Sequence, residues 1–123
     1  MAAMTITRED LKAALSDTSS PVSLAGLERA VEVYRDRHGI PHVRAKSVND
    51  AFFAQGFVAA QDRLWHMDYD RHRAYGRWAE LAGPVGLEQD VVMRCFWLGA
   101  SARADYETVN QETRAMLDAY AAG

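Results

Sequence analysis

The chain of 123 residues has a single cysteine, Cys95, so no internal disulfide can form and the fold does not depend on oxidation. Its neighbours are Arg94, Phe96 and Trp97. One arginine is thin support for a reactive thiolate, and Cys95 is expected to be a buried structural residue. Long hydrophobic runs are missing too. No apolar stretch approaches the roughly 20 residues that span a bilayer, which excludes a transmembrane helix and a membrane partner of that kind. A secretory leader is not visible, because Arg8, Glu9, Asp10, Lys12 and Asp17 stand where its apolar core would lie. On that reading a cytoplasmic location fits the chain best. Blocks of like charge are also missing. Net charge is −3, and the basic cluster Arg71, Arg73 and Arg77 is interleaved with Asp68, Asp70 and Glu80. Phosphate binding needs a concentrated basic patch, so nucleic acid is excluded as the main partner. Glycines are scattered, which leaves no loop to cradle a phosphate.

What is present is ordinary globular composition, 49% hydrophobic and 25% charged. The length suits one domain with a modest core. Residues 1–28 read as a prefix. Thr7 followed by Asp10 is a capping pattern for a short helix with Leu11, Ala14 and Leu15 on its apolar face. Ser19, Ser20 and Pro21 then break it. With so little apolar surface, the prefix is expected to be dispensable for the fold.

Residues 29–123 form the folded unit. Val31 and Val33 alternate with Glu32 and Tyr34, the period of a strand. Asp36 to Gly39 is a turn in which Gly39 can take positive φ. Ile40 to Ala45 continues extended, and Pro41 confines that second strand to an edge. A long helix is expected from about Val48 to Tyr75, capped by Ser47 or Asn49. Phe53, Phe57, Ala60, Leu64, Met67, Tyr75 and Trp78 share one stripe, and Ala54, Val58, Trp65 and Tyr69 a second. Such a helix is buried on two sides. Arg71 lies in the first stripe, where an unpaired charge would be costly, so a pair with Asp68 is expected. A bend and a helical turn follow between Gly76 and Gly86. Helices are then expected over Val91–Trp97 and Ala100–Thr108, broken at Gly99, and from Asn110 onward, burying Met116, Leu117 and Tyr120. The fold class is α+β, mostly α-helical: one β-hairpin with four or five helices.

Chemistry is harder to find. His66 has Asp62 and Asp70 four residues away on either side, a spacing that places ligands on one helix face. No second histidine or cysteine joins them, so a metal site is the weaker reading. His72, four residues after Asp68, reads as a surface ion pair; His38 is a turn residue and His42 a strand residue at the edge of the core. Ser16, Ser19, Ser20 and Ser23 lie in the prefix, Ser47 and Ser101 at helix starts, and neither a GxSxG elbow nor an SxxK motif occurs. From these residues alone, no catalytic, substrate-binding or metal-ligating residue is assigned.

The motifs nevertheless carry a resemblance. Val33, Arg35 and Asp36 form a V-x-R-D strand, and Gly39, Ile40, Pro41 and His42 form G-[IV]-P-H. Phe53, Gly56, Val58, Met67 and an AQDRL core at residues 60–64 follow. Next come G-x-x-A-E-x-x-G at residues 76–83, Asp90 with Arg94, and Tyr120 with Gly123. In order and spacing, residues 31–123 resemble the opening of the α subunit in the penicillin acylase family of N-terminal-nucleophile amide hydrolases. The resemblance implies an αββα sandwich built from two subunits of one precursor. It implies a serine nucleophile at the start of a β subunit, activated by its own α-amino group, and calcium in some members. Those functional residues lie outside the matched segment, so none is carried over, and no cofactor is expected in this chain. Family members are often periplasmic or secreted. The resemblance makes the chain a fragment of an acylase acting on N-acylated amines such as β-lactams, acyl homoserine lactones or acyl peptides. Alone it is expected to be inactive, and its partner to be the missing β subunit or a second copy in a homodimer. Arg35, Asp36, Gln61, Asp62, Arg63 and Arg71 are expected to form the network tying hairpin and helix to that subunit. The alternative is a non-catalytic truncated paralogue, a small helical protein-interaction module.

Overall fold

A computed structural model describes residues 5–123; residues 1–4 of the expected prefix lie outside the described residues. Thr7 caps helix α1 (Arg8–Ala13) in a full capping box, its hydroxyl accepting from the Asp10 N–H at 3.1 Å. Leu11 and Leu15 stay exposed, so the apolar face expected there meets nothing. The chain then runs along the later elements. The Ser16 hydroxyl donates to the Gln61 carbonyl oxygen (3.2 Å), and the Glu28 N–H donates to Asp50 Oδ1 (2.8 Å).

Strands β1 (Glu32–Arg35) and β2 (Pro41–Arg44) pair antiparallel, Glu32 opposite Arg44 and Arg35 opposite Pro41. Asp36 closes the turn: its Oδ1 accepts the N–H groups of His38 (2.8 Å) and Ile40 (3.0 Å), while Gly39 takes φ 77°. Those two donations hold the Asp36 carboxyl below the usual carboxylate range. Tyr34 and His42, directly opposite, stack with ring centroids 4.8 Å apart, a cross-strand pair that fixes the register.

Helix α2 (Val48–Ala74) starts at Ser47, whose hydroxyl accepts the Asp50 N–H at 3.1 Å. Its first half is buried through Phe53, Ala54, Gly56 and Val58, against the hairpin and helix α6 (Gln111–Ala122). The two helices touch backbone to backbone. A Cβ on Gly56 would run into the Tyr120 carbonyl group, and one on Gly123 into that of Phe53. That contact corrects the expected core of α6: Ala119 is buried, Met116 and Tyr120 are half-buried, and Leu117 is exposed. Only small side chains fit at so close a crossing. The second half of α2 also departs from expectation, because Leu64 is 66% and Trp65 64% exposed. Between the halves Arg63 leaves helical geometry (φ −143°, ψ 26°). Two residues before the kink, the Gln61 carbonyl oxygen accepts the Ser16 hydroxyl.

Beyond α2 come α3 (Ala79–Ala82), a 3-10 turn (Gly83–Gly86), α4 (Leu87–Phe96) and α5 (Leu98–Thr108). Asp90 and Arg94, one turn apart on α4, clamp the bend. Asp90 accepts the N–H groups of Trp78 (2.7 Å) and Ala79 (2.8 Å), and Arg94 Nε donates to the Gly76 carbonyl oxygen (2.9 Å). The break between α4 and α5 falls at Trp97 (φ 52°), not at Gly99. Gly99 stays helical because its missing Cβ admits the Tyr75 ring. Asn110 caps α6, and the Tyr106 hydroxyl donates to Asp118 Oδ1 (2.5 Å), tying α5 to α6. No helix of the described residues is long and apolar enough to cross a membrane.

Candidate functional site

Besides apolar packing, a polar latch joins the hairpin to α2. Arg35 grips Asp62 with both arms of its guanidinium (Nη2–Oδ1 2.7 Å, Nη1–Oδ2 2.9 Å) and reaches Gln61 Oε1 at 3.2 Å. A planar fork on a carboxylate is both strong and directional. Gln61 passes the linkage on, its Nε2 donating to the Asp17 carbonyl oxygen at 3.0 Å. Three members of the expected network therefore meet. The others do not join it. Asp36 closes its own turn and faces His42 Nε2 at 3.3 Å. Arg63 is exposed at the kink. Arg71 pairs with Asp68 as expected (2.6 Å), yet both side chains are solvent-accessible.

Above this latch lies a cavity of about 280 Å³ between residues 17–27, the hairpin and α2. Val22, Leu24, Leu27, Phe53 and Phe57 line it, with Arg35 and Gln61 in its wall. Asp50 is completely buried; Oδ1 holds the Glu28 N–H, and Oδ2 has no partner among the described residues. Neither the cavity nor Asp50 stood out in the sequence. The signal available was Ser47 followed three residues later by an acid, a helix-start pattern.

The histidines are placed as follows. His66 is exposed and its Nε2 lies 3.2 Å from Asp70 Oδ2; Asp62 is engaged by Arg35 instead. Among the described residues no cluster of three or more His, Cys, Asp or Glu side chains could hold a metal ion. His72, expected at the surface, is buried. The bend folds back over it, with the Arg77 N–H bonded to the His72 carbonyl oxygen at 2.8 Å. Its Nδ1 is 2.8 Å from the Asp68 carbonyl oxygen, which can only accept, so Nδ1 carries the proton there. Arg71 and Arg77 hold the neighbouring carboxyls of Asp68 and Glu80 below their usual range by hydrogen bonds.

Nucleophile candidates are spoken for or isolated. Ser16 bonds Gln61, Ser19 bonds Asp17 (2.8 Å) and Ser47 caps α2. Cys95 is exposed, not buried; α4 turns Asp90 and Met93 inward, and Cys95 points away from them. Among the described residues no serine, threonine or cysteine hydroxyl or thiol is hydrogen-bonded to a histidine. What the geometry builds is a scaffold: a latched hairpin, a kinked helix exposed around Leu64 and Trp65, and a clamped bend.

Residues 30–123 match the family model described as penicillin amidase. The penicillin acylase 2 proenzyme of Pseudomonas sp. (strain SE83) is 45% identical over 116 residues, covering 94% of this chain and 15% of that protein. The acyl-homoserine lactone acylase QuiP of Pseudomonas aeruginosa is 36% identical over 109 residues, 89% of this chain and 13% of that one. The chain thus spans less than a sixth of the length of either relative. The solved structure of a thermostable penicillin G acylase from Alcaligenes faecalis is similar at TM-score 0.66 and 32% identity, over 74% of this chain and 49% of that chain.

Proposed function

The chain belongs to the penicillin amidase family, and from that premise we propose that it is part of an amide hydrolase that removes an acyl group from an N-acylated amine. In this reading the nucleophile is a serine at the start of a β subunit that these 123 residues do not contain. Its hydroxyl attacks the amide carbon, its own α-amino group takes the proton and delivers it to the leaving amine, and water then releases the acid. The relatives are named for penicillin and acyl homoserine lactones, so the substrate is an N-acylated amine of that kind, with acyl peptides as a further member of the class. The role of this chain is to present the latched hairpin and α2 as a surface for the β subunit.

The observation that carries the reading is the exposed middle stretch of α2, residues 62–67, in a chain of this family. Leu64 and Trp65 stand in solvent on a helix buried on either side of them at Phe53–Val58 and His72, and large exposed apolar side chains in one region mark a partner surface. The test is co-expression of this chain with the part of the Pseudomonas sp. proenzyme that follows the aligned region. Hydrolysis of chromogenic phenylacetyl and long-chain acyl anilides is the readout. The pair is expected to hydrolyse at least one anilide, and the chain alone neither. Hydrolysis by the chain alone would overturn the partner-serine mechanism. A folded chain that restores nothing would favour a non-catalytic interaction module.

A further inference from the structure

Where α4 meets α5 a groove of about 420 Å³ opens, lined by Tyr75, Met93, Trp97 and Leu98, with Arg94 and Arg103 in its walls. Arg94 uses only Nε, on the Gly76 carbonyl oxygen. Neither arginine makes an ion pair with a described carboxylate; those pairs belong to arginines elsewhere. The lining holds two arginines beside aromatic rings and no carboxylate; the neighbouring acids, Asp90 and Glu80, lie outside it, Asp90 bonded to the Trp78 and Ala79 N–H groups and Glu80 paired with Arg77.

Trp97 is the unusual residue of the groove. It ends α4 at φ 52°, ψ 36°, the left-handed position that glycine ordinarily fills at a helix C-terminus. A bulky side chain there is strained. At 73% exposure, packing within the chain does little to offset that strain. A tryptophan held this way is poorly explained by the fold and well explained as a contact. Leu98 beside it is 41% exposed, so a small carboxylate in the groove would remain half in water. A protein segment brings its own covering surface, which is what makes buried aromatic anchors effective.

We infer that this groove docks a segment of the partner subunit that carries an aspartate or glutamate beside an apolar side chain, with Trp97 as anchor and Arg94 and Arg103 holding the carboxylate. The inference rests on the reading of this chain as one part of a two-part acylase. Its test is calorimetric titration of the full chain with synthetic peptides tiling the rest of the Pseudomonas sp. proenzyme. Acidic apolar peptides are expected to bind, more weakly as salt rises, and Arg103→Glu and Trp97→Gly are each expected to weaken binding by about tenfold or more. Trp97→Gly suits the left-handed backbone, so unchanged circular dichroism will separate lost binding from lost fold. No peptide binding, binding indifferent to both substitutions, or equal binding of octanoate or phenylacetate would each overturn it. The co-expression assay separates the two readings. Activity restored equally by wild type and by Trp97→Gly/Arg103→Glu would remove the groove and keep the subunit. Loss of activity in that double variant alone would support both.

Discussion

Arg35 latches the hairpin to α2 through one guanidinium, held by Asp62 and Gln61 at the edge of the core. Lysine keeps the charge but cannot make the fork. Arg35→Lys is expected to lower stability by about 1 kcal/mol, the low end for charge-assisted bonds because both partners are partly exposed. A urea midpoint shift at constant slope is the check. The carboxyls of Asp36, Asp68 and Glu80 make a second prediction. Their folded pKa values are depressed by hydrogen bonds. The stability they contribute is therefore complete above the unfolded range near pH 4 and is lost as pH falls through the folded values. Thermal midpoints measured from pH 6 to pH 3 should fall, and Asp36→Asn should flatten that slope; a midpoint that rises toward pH 3 would contradict the assignment. Local chemistry of this sort was legible from sequence, since the Asp36–Gly39 turn and the Asp68–Arg71 pair join near neighbours. Arg35 and Asp62 were expected in one network but not as each other's partners, because they lie 27 positions apart and only the packing of hairpin on helix brings them together.

At the scale of elements, the crossing of α2 and α6 is set by Gly56 and Gly123. Gly56→Ala would push a Cβ into the rigid Tyr120 carbonyl, an overpacking expected to cost about 1–3 kcal/mol and read as a lower urea midpoint. No change would mean that the helices sit further apart. Helix starts were readable because capping is local: Thr7, Ser47 and Asn110 all cap where their types predict. Helix interiors were less so. Periodicity located the apolar stripes of α2 but not which stretch is covered, since it carries no information on what lies opposite. Gly99 was a sound candidate for a break on propensity, yet it is helical against the Tyr75 ring and the break falls at Trp97. Asp90 and Arg94 appeared in sequence only as a spacing; their clamp on the bend is a tertiary fact.

For the whole molecule, Leu64 and Trp65 are the test of what the fold is for. Leu64→Glu changes an exposed side chain, so stability should stay within about 0.5 kcal/mol while association is lost. A large fall in stability would place Leu64 in the chain's own core. The central claim is that this scaffold is one part of a larger acylase, and molar mass by light scattering tests it most directly. The purified chain should exceed its monomer mass of 13.7 kDa through self-association. Mixed with the remaining part of the Pseudomonas sp. proenzyme, it should give a single complex of one copy of each. A monodisperse monomer that ignores the added partner would contradict the account.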